Sequence, residues 1–196
     1  GIIYKELGQM EDAVKSYEQA IDLQPDYAEA HNNLGTTLQG MWKLDEAAKC
    51  FEKALVIQPD FFEVHNNLGN TLNLLGNTNE AINSYKQALS INPDYADAYN
   101  NIGIIYHEMG QLDEAIKYYE KAIAISPEYA QAHNNLGITL NKLGEFQKAI
   151  KFYEQALIIN PSYDEAYFNL GVTLYELNQS DEALNSYEQA LSINPD

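Results

Sequence analysis

The sequence predicts an all-α chain, an α-solenoid of antiparallel helix pairs. Three observations lead there. All six prolines, Pro25, Pro59, Pro93, Pro127, Pro161 and Pro195, stand 34 residues apart. Small residues keep the same interval: Gly1, Gly35, Gly69, Gly103, Gly137 and Gly171, with alanines running from Ala13 to Ala183 and from Ala20 to Ala190. An aromatic comb follows at Tyr17, Phe51, Tyr85, Tyr119, Tyr153 and Tyr187. Self-similarity at a fixed period of this length marks a stack of equivalent supersecondary units.

Each unit reads as two helices. After Pro93, Asp94 is placed to cap the orphan amides of a first helix, with Asp97 three positions on. Asp26 with Glu29, and Asp60 with Glu63, repeat that arrangement. The first helix runs to Gly110, whose missing Cβ suits a left-handed cap. Asp113 opens the second helix, in which Ile116, Tyr119, Ala122, Ile123 and Ile125 recur at helical spacing. Ala115 and Ala122 share a face and let two helices approach closely. Pro127 then prevents continuation. A single unit buries too little apolar surface to stand alone, so neighbouring units must stack.

Two turns depart from this pattern. Trp42 and Asn178 occupy the slot held elsewhere by Gly8, Gly76, Gly110 and Gly144. Asparagine tolerates the left-handed region. Tryptophan does not, so the expectation is a rearranged turn in which Gly40 takes the cap and Trp42 packs. The alternative is an exposed Trp42 that anchors a partner.

The stretch Ala96 to Tyr129 carries Tyr99, Ile102-Gly103, Tyr106, Ala115, Tyr119, Ala122 and Pro127. In this pattern the chain resembles the tetratricopeptide repeat (TPR) family over its whole length. The resemblance implies a right-handed superhelix and a single array over 1–196. Its frame gives a partial unit at 1–27, units at 28–61, 62–95, 96–129 and 130–163, and a near-complete unit at 164–196. Gly1 falls in mid-helix and Asp196 just past the last repeat proline. Both ends are thus expected to expose stacking surface, as a segment of a longer protein or a chain that self-associates end to end.

The resemblance also implies that the first helices line a concave face. Asn33, Asn67, Asn101, Asn135 and Asn169 recur once per unit at a position the family turns inward. An amide offers both donor and acceptor, so such a ladder suits the main chain of an extended peptide. The run Ala-His-Asn-Asn-Leu-Gly, at Ala30 to Gly35 and Ala132 to Gly137, is similar to the superhelical repeat region of O-linked N-acetylglucosamine transferases, where such a ladder holds polypeptide. The other reading is that these asparagines cap or brace the inner face, and Asn32, Asn66, Asn100 and Asn134 show how freely Asn is used. Thr36, Asn70, Glu63 and Asp97 complete the candidate peptide-binding set. Chaperone-tail binders of the family use Lys and Arg at first-helix slots that here hold Glu, Asp, Gln and Asn, which speaks against that ligand.

Composition narrows the partner. There are 29 acidic residues against 11 lysines and no arginine, a formal charge of −18. Phosphate binding needs a basic footprint, so no nucleic acid partner is expected. Acid beside amide favours a basic or neutral extended segment. No apolar run reaches the roughly 18 residues of a membrane span. Cys50, the one cysteine, gives no internal disulfide and no sign of an oxidising compartment, and the chain opens without a basic leader, so a cytoplasmic location is the expectation.

Residues that look chemical have bland explanations. His31, His65 and His133 share a repeat position with Tyr99 and Tyr167 and read as large packing residues. One unit apart means a helix layer of about 9 Å, too far for a shared metal. Cys50 replaces Ser16, Ser84 and Ser186 as a small helix residue. No phosphate loop, zinc spacing or nucleophile motif occurs, so no cofactor, no metal and no catalysis by the chain itself are expected. The leading functional expectation is a protein- or peptide-binding scaffold that holds an extended segment on its concave face. The alternatives are the substrate-presenting arm of a larger glycosyl- or other transferase, and a self-assembling structural array.

Overall fold

The computed structural model describes residues 1–195, apart from the side chains of Lys5 and Glu6. The described residues form α-helices and turns only. First helices are α1 (Ile2–Glu6), α3 (Ala28–Gly40), α5 (Phe62–Leu74), α7 (Ala96–Glu108), α9 (Ala130–Lys142) and α11 (Asp164–Glu176). Second helices are α2 (Met10–Leu23), α4 (Leu44–Ile57), α6 (Thr78–Ile91), α8 (Leu112–Ile125), α10 (Phe146–Ile159) and α12 (Ser180–Ile193).

Packing divides the chain into two compact units, Gly1–Ala98 and Tyr99–Asp196. In the first, α3 pairs with α4 and α5 with α6, while α2 lies against α3 and α4 against α5. In the second, α9 pairs with α10 and α11 with α12, while α8 lies against α9 and α10 against α11. α3, α5, α9 and α11 each therefore have a second helix on both sides. The burial follows: α8 buries one stripe, Ala115, Tyr119 and Ala122, whereas α9 buries Ala132, His133, Asn134, Leu136, Gly137, Thr139 and Leu140.

The glycine and aromatic combs meet as one contact. A Cβ built on Gly103 falls 2.6 Å from the Tyr119 ring, and on Gly137 2.6 Å from that of Tyr153. The missing side chain is the space the ring occupies. Ala81, Ala115 and Ala149 are fully buried beside these rings, as expected where two helix backbones approach closely.

Helix starts differ from the sequence expectation. The residues at the N-cap are Tyr27, Phe61, Tyr129 and Tyr163, without a side-chain cap bond. Asp26 and Asp60 lie one residue too early and stay exposed. Asp94 sits in the turn and donates its own amide to Asn92 Oδ1 at 3.2 Å. The acids three positions on, Glu29, Glu63 and Asp97, do fall in the first turn, where the helix dipole favours them. The Pro turn is held instead by histidine. His31, His65 and His133 donate Nε2–H to the carbonyls of Pro25, Pro59 and Pro127 at 2.9–3.0 Å. They are latches as well as packing residues.

The Trp42 expectation is also corrected. Gly8, Gly76, Gly110 and Gly144 take positive φ as anticipated, and so do Asn178 (φ 61°) and Trp42 itself (φ 59°). Gly40 remains the last helical residue of α3. The turn bonds explain why. Lys43 N–H reaches Leu38 O at 2.9 Å, as Asn77 N–H reaches Leu72 O at 2.8 Å in the glycine-bearing turn. Closing that loop requires a left-handed residue at this position whatever its side chain. Trp42 does not pack: it is 73% exposed.

Candidate functional site

The site begins with the two neighbouring asparagines of α3, α5, α7 and α9, and with Asn169 of α11. Successive residues on a helix are rotated about 100° from one another, so they face different ways. In α5, α7 and α9 one of the pair points into the stack, Asn66, Asn100 and Asn134 being 5%, 1% and 0% exposed, whereas Asn32 of α3 is only half-buried. The other, Asn33, Asn67, Asn101, Asn135 or Asn169, stays half-buried. The two combs interlock between units. Asn67 Nδ2 donates to Asn32 Oδ1 at 3.0 Å, Asn135 Nδ2 to Asn100 Oδ1 at 3.0 Å, and Asn169 Nδ2 to Asn134 Oδ1 at 3.1 Å. Asn135 and Asn169 are thus oriented by buried asparagines, and Asn67 by the half-buried Asn32. Among the described residues, the Oδ1 atoms of Asn67, Asn135 and Asn169 take no hydrogen bond.

The remaining candidates are placed less uniformly. Thr36 spends its hydroxyl on Asn32 O at 2.9 Å, and Asn70 Oδ1 accepts the Tyr85 hydroxyl at 2.7 Å. Glu63 and Asp97 flank the Tyr95 hydroxyl. Burial, then the charges of Asp97 and Glu63, push that phenol up to about 12, and the hydroxyl donates to Asp97. These two acids sit at helix starts, and the ladder asparagines lie further along.

Sequence reading missed a second recurring device. Thr139 and Thr173 are fully buried. Thr139 gives its proton to Asn135 O at 2.8 Å, and Thr173 gives its own to Asn169 O at 2.9 Å. Each hydroxyl oxygen then acts only as an acceptor. It lies within hydrogen-bond reach of the phenol oxygen of Tyr119 or Tyr153. It also takes His107 Nδ1–H at 2.9 Å or Asn141 Nδ2–H at 2.8 Å. The pairing fixes the His107 tautomer with the proton on Nδ1, and burial followed by the Lys142 charge lowers its pKa, favouring the neutral ring. The threonine comb Thr37, Thr71, Thr139 and Thr173 was the available signal; it is silent about partners because those lie in the preceding unit. Burial pushes the Cys50 thiol up, with Glu18 and Glu46 adding to it, which favours the protonated form.

Interlocked helix pairs of this period define an α-solenoid repeat protein. A family model described as Tetratricopeptide repeat matches residues 94–162 and 128–196, and one described as TPR repeat matches 1–41, 43–76 and 69–110. The chain belongs to the tetratricopeptide repeat family. Neither matching model describes a catalytic family. A comparison with curated protein sequences gives no match. Among solved structures, MamA is 29% identical with a TM-score of 0.71, covering 83% of this chain and 95% of that one. PilW, described as a widely conserved type IV pilus biogenesis factor, is 23% identical with a TM-score of 0.88, covering 99% and 90%. YrrB, described as a TPR protein with an unusual peptide-binding site, is 21% identical with a TM-score of 0.67, covering 93% and 94%. The last two are likenesses of fold. No described helix is long and apolar enough to cross a membrane.

Proposed function

We propose that this chain, as a single repeat array over 1–196, holds an extended polypeptide segment along its first helices through the asparagine ladder. One observation carries the reading. Asn67, Asn135 and Asn169 each use an amide proton on the asparagine comb of the preceding repeat, half-buried at Asn32 and buried at Asn100 and Asn134, and keep Oδ1 uncommitted among the described residues. An acceptor held in place before binding loses little freedom on binding. A main-chain N–H is its natural donor, and that donor is common to every sequence but proline. The formal charge of −18 favours a basic or neutral segment. The unusual peptide-binding site of YrrB supports the reading by analogy of fold. The chain presents its segment and leaves chemistry to others. A role as the arm of a larger transferase rests on the Ala-His-Asn-Asn-Leu-Gly run alone.

A peptide array probed with the wild-type chain tests this. Replacing Asn67, Asn101 and Asn135 with Ala should abolish most binding, provided thermal melts show the variant folded. Undiminished binding by the folded variant overturns the ladder.

A second reading, self-association into a structural array, is favoured by apolar side chains exposed on α11 and α12. Phe168 is 55% exposed, Leu184 58% and Leu191 60%. Sedimentation over a wide concentration range should then show larger species; a strict monomer at the highest concentration would end this reading.

A further inference from the structure

The first-helix face of the second unit carries an apolar row that the first unit lacks. Ile104, Ile138 and Val172 occupy one repeat position on α7, α9 and α11. The same position in the first unit holds Ile2, Thr36 and Asn70, so no two apolar residues follow one another there. Each member of the apolar row follows a ladder asparagine by three residues and so shares its stripe of the helix. All three are partly exposed. Ile104 and Ile138 rest on the core around Leu136, Tyr119 and Tyr153.

The row is bordered on both sides by fixed acceptors. On one side lie Oδ1 of Asn135 and Asn169, described above. On the other lie His107 and Asn141, one turn further along α7 and α9. His107 has spent its only proton on Thr139. Asn141 has spent both amide protons, on Thr173 Oγ1 at 2.8 Å and Glu176 Oε2 at 3.2 Å. His107 Nε2 and Asn141 Oδ1 take no hydrogen bond among the described residues. What binds here must bring donors and apolar side chains together. The nearby charges are Glu108 and Glu176, against Lys142 alone.

Spacing selects the conformation of the guest. The first helices α9 and α11 touch directly, which sets neighbouring rows about 8–10 Å apart. A β-strand repeats a face every second residue, about 6.7 Å, and loses step after one row. A polyproline II segment has three residues per turn at about 3.1 Å each, so a face repeats at about 9.3 Å, and its backbone N–H groups have no internal partner. We infer that the second unit selects a basic segment in the polyproline II conformation, with an apolar side chain at every third position set against Ile104, Ile138 and Val172. The inference rests on the peptide-holding reading above and adds conformation, register and side-chain class to it.

The test uses two acetylated, amidated 12-residue peptides of one composition. In one, Val-Pro-Lys is repeated four times; in the other, the valines are placed in adjacent pairs. Fluorescence anisotropy with the full chain should show the three-residue period binding at least about tenfold tighter. The double variant Ile104→Thr with Ile138→Thr should remove that preference. Threonine already stands at this repeat position in Thr36, so the fold accommodates it, and a melting curve verifies this. Equal binding of the two peptides, binding of neither, or a preference that survives the double substitution overturns the inference. The peptide-holding reading is decided separately by the asparagine variants on the array.

Discussion

Asn135 donates its Nδ2–H to Oδ1 of Asn100 across 3.0 Å, and Asn100 is 1% exposed. Two sequence combs that looked redundant are therefore one device, with a buried acceptor that orients a half-exposed amide. Asn100 Nδ2 itself has no hydrogen-bond partner among the described residues, so this residue sits in the core at a cost.

That relationship gives a double-mutant prediction. Asn135→Ala strands the buried Asn100 Oδ1 and should cost about 1–3 kcal/mol in denaturant melts. Adding Asn100→Leu removes the stranded group and should recover most of the loss. Simple additivity of the two substitutions would show that the pair is not coupled.

The left-handed Trp42 stores strain without packing. Trp42→Gly should raise stability by up to about 1 kcal/mol, since relief of the left-handed penalty exceeds the entropy glycine brings to the unfolded chain. A destabilised variant would mean that the exposed ring holds something the φ value does not reveal.

The glycine comb should be intolerant of even one carbon. A Cβ on Gly137 meets the Tyr153 ring at 2.6 Å, and Tyr153 is only 2% exposed, so the ring has nowhere to go. Gly137→Ala should destabilise by about 1–3 kcal/mol. A melting temperature equal to wild type would show the helix pair to be looser than it is drawn.

His107 should titrate below its ordinary value of 6.5, read from its ring proton by NMR. The folded chain then binds fewer protons than the unfolded chain near that pH. Its stability contribution must fall as pH drops through 6.5 and level off below the folded value. Lys142→Ala should move the midpoint only part of the way back, because burial is the larger cause. A midpoint at or above 6.5 contradicts the neutral, Nδ1-protonated ring.

Much of the fold was legible because repetition averages away local ambiguity. Ala115, Tyr119 and Ala122 mark the buried stripe of a second helix in one unit, and five further copies repeat it. What stayed hidden lies one residue off or one unit away. Asp26 reads as a cap, yet the chain enters the helix one residue later, at Tyr27. Trp42 reads as unable to be left-handed, yet the turn's backbone bonds outweigh that preference. That Asn33, Asn67, Asn101, Asn135 and Asn169 recur once per repeat could be read from spacing, and their placement on a concave face was implied by the family resemblance. Their braces could not, because Asn32 and Asn33 are chemically identical in sequence and only helix rotation separates them. His31 read as a Tyr-like packing residue, and its bond to Pro25 O at 3.0 Å depends on how the turn folds back.

The central claim is that Asn67, Asn135 and Asn169 grip a guest main chain. The most direct measurement is NMR of their side-chain amides in labelled protein, titrated with the strongest peptide from the array. Saturating shifts at those three amides, with smaller changes on the second helices, are the predicted result. A peptide that binds while those amides stay unmoved would place the guest elsewhere and contradict the account.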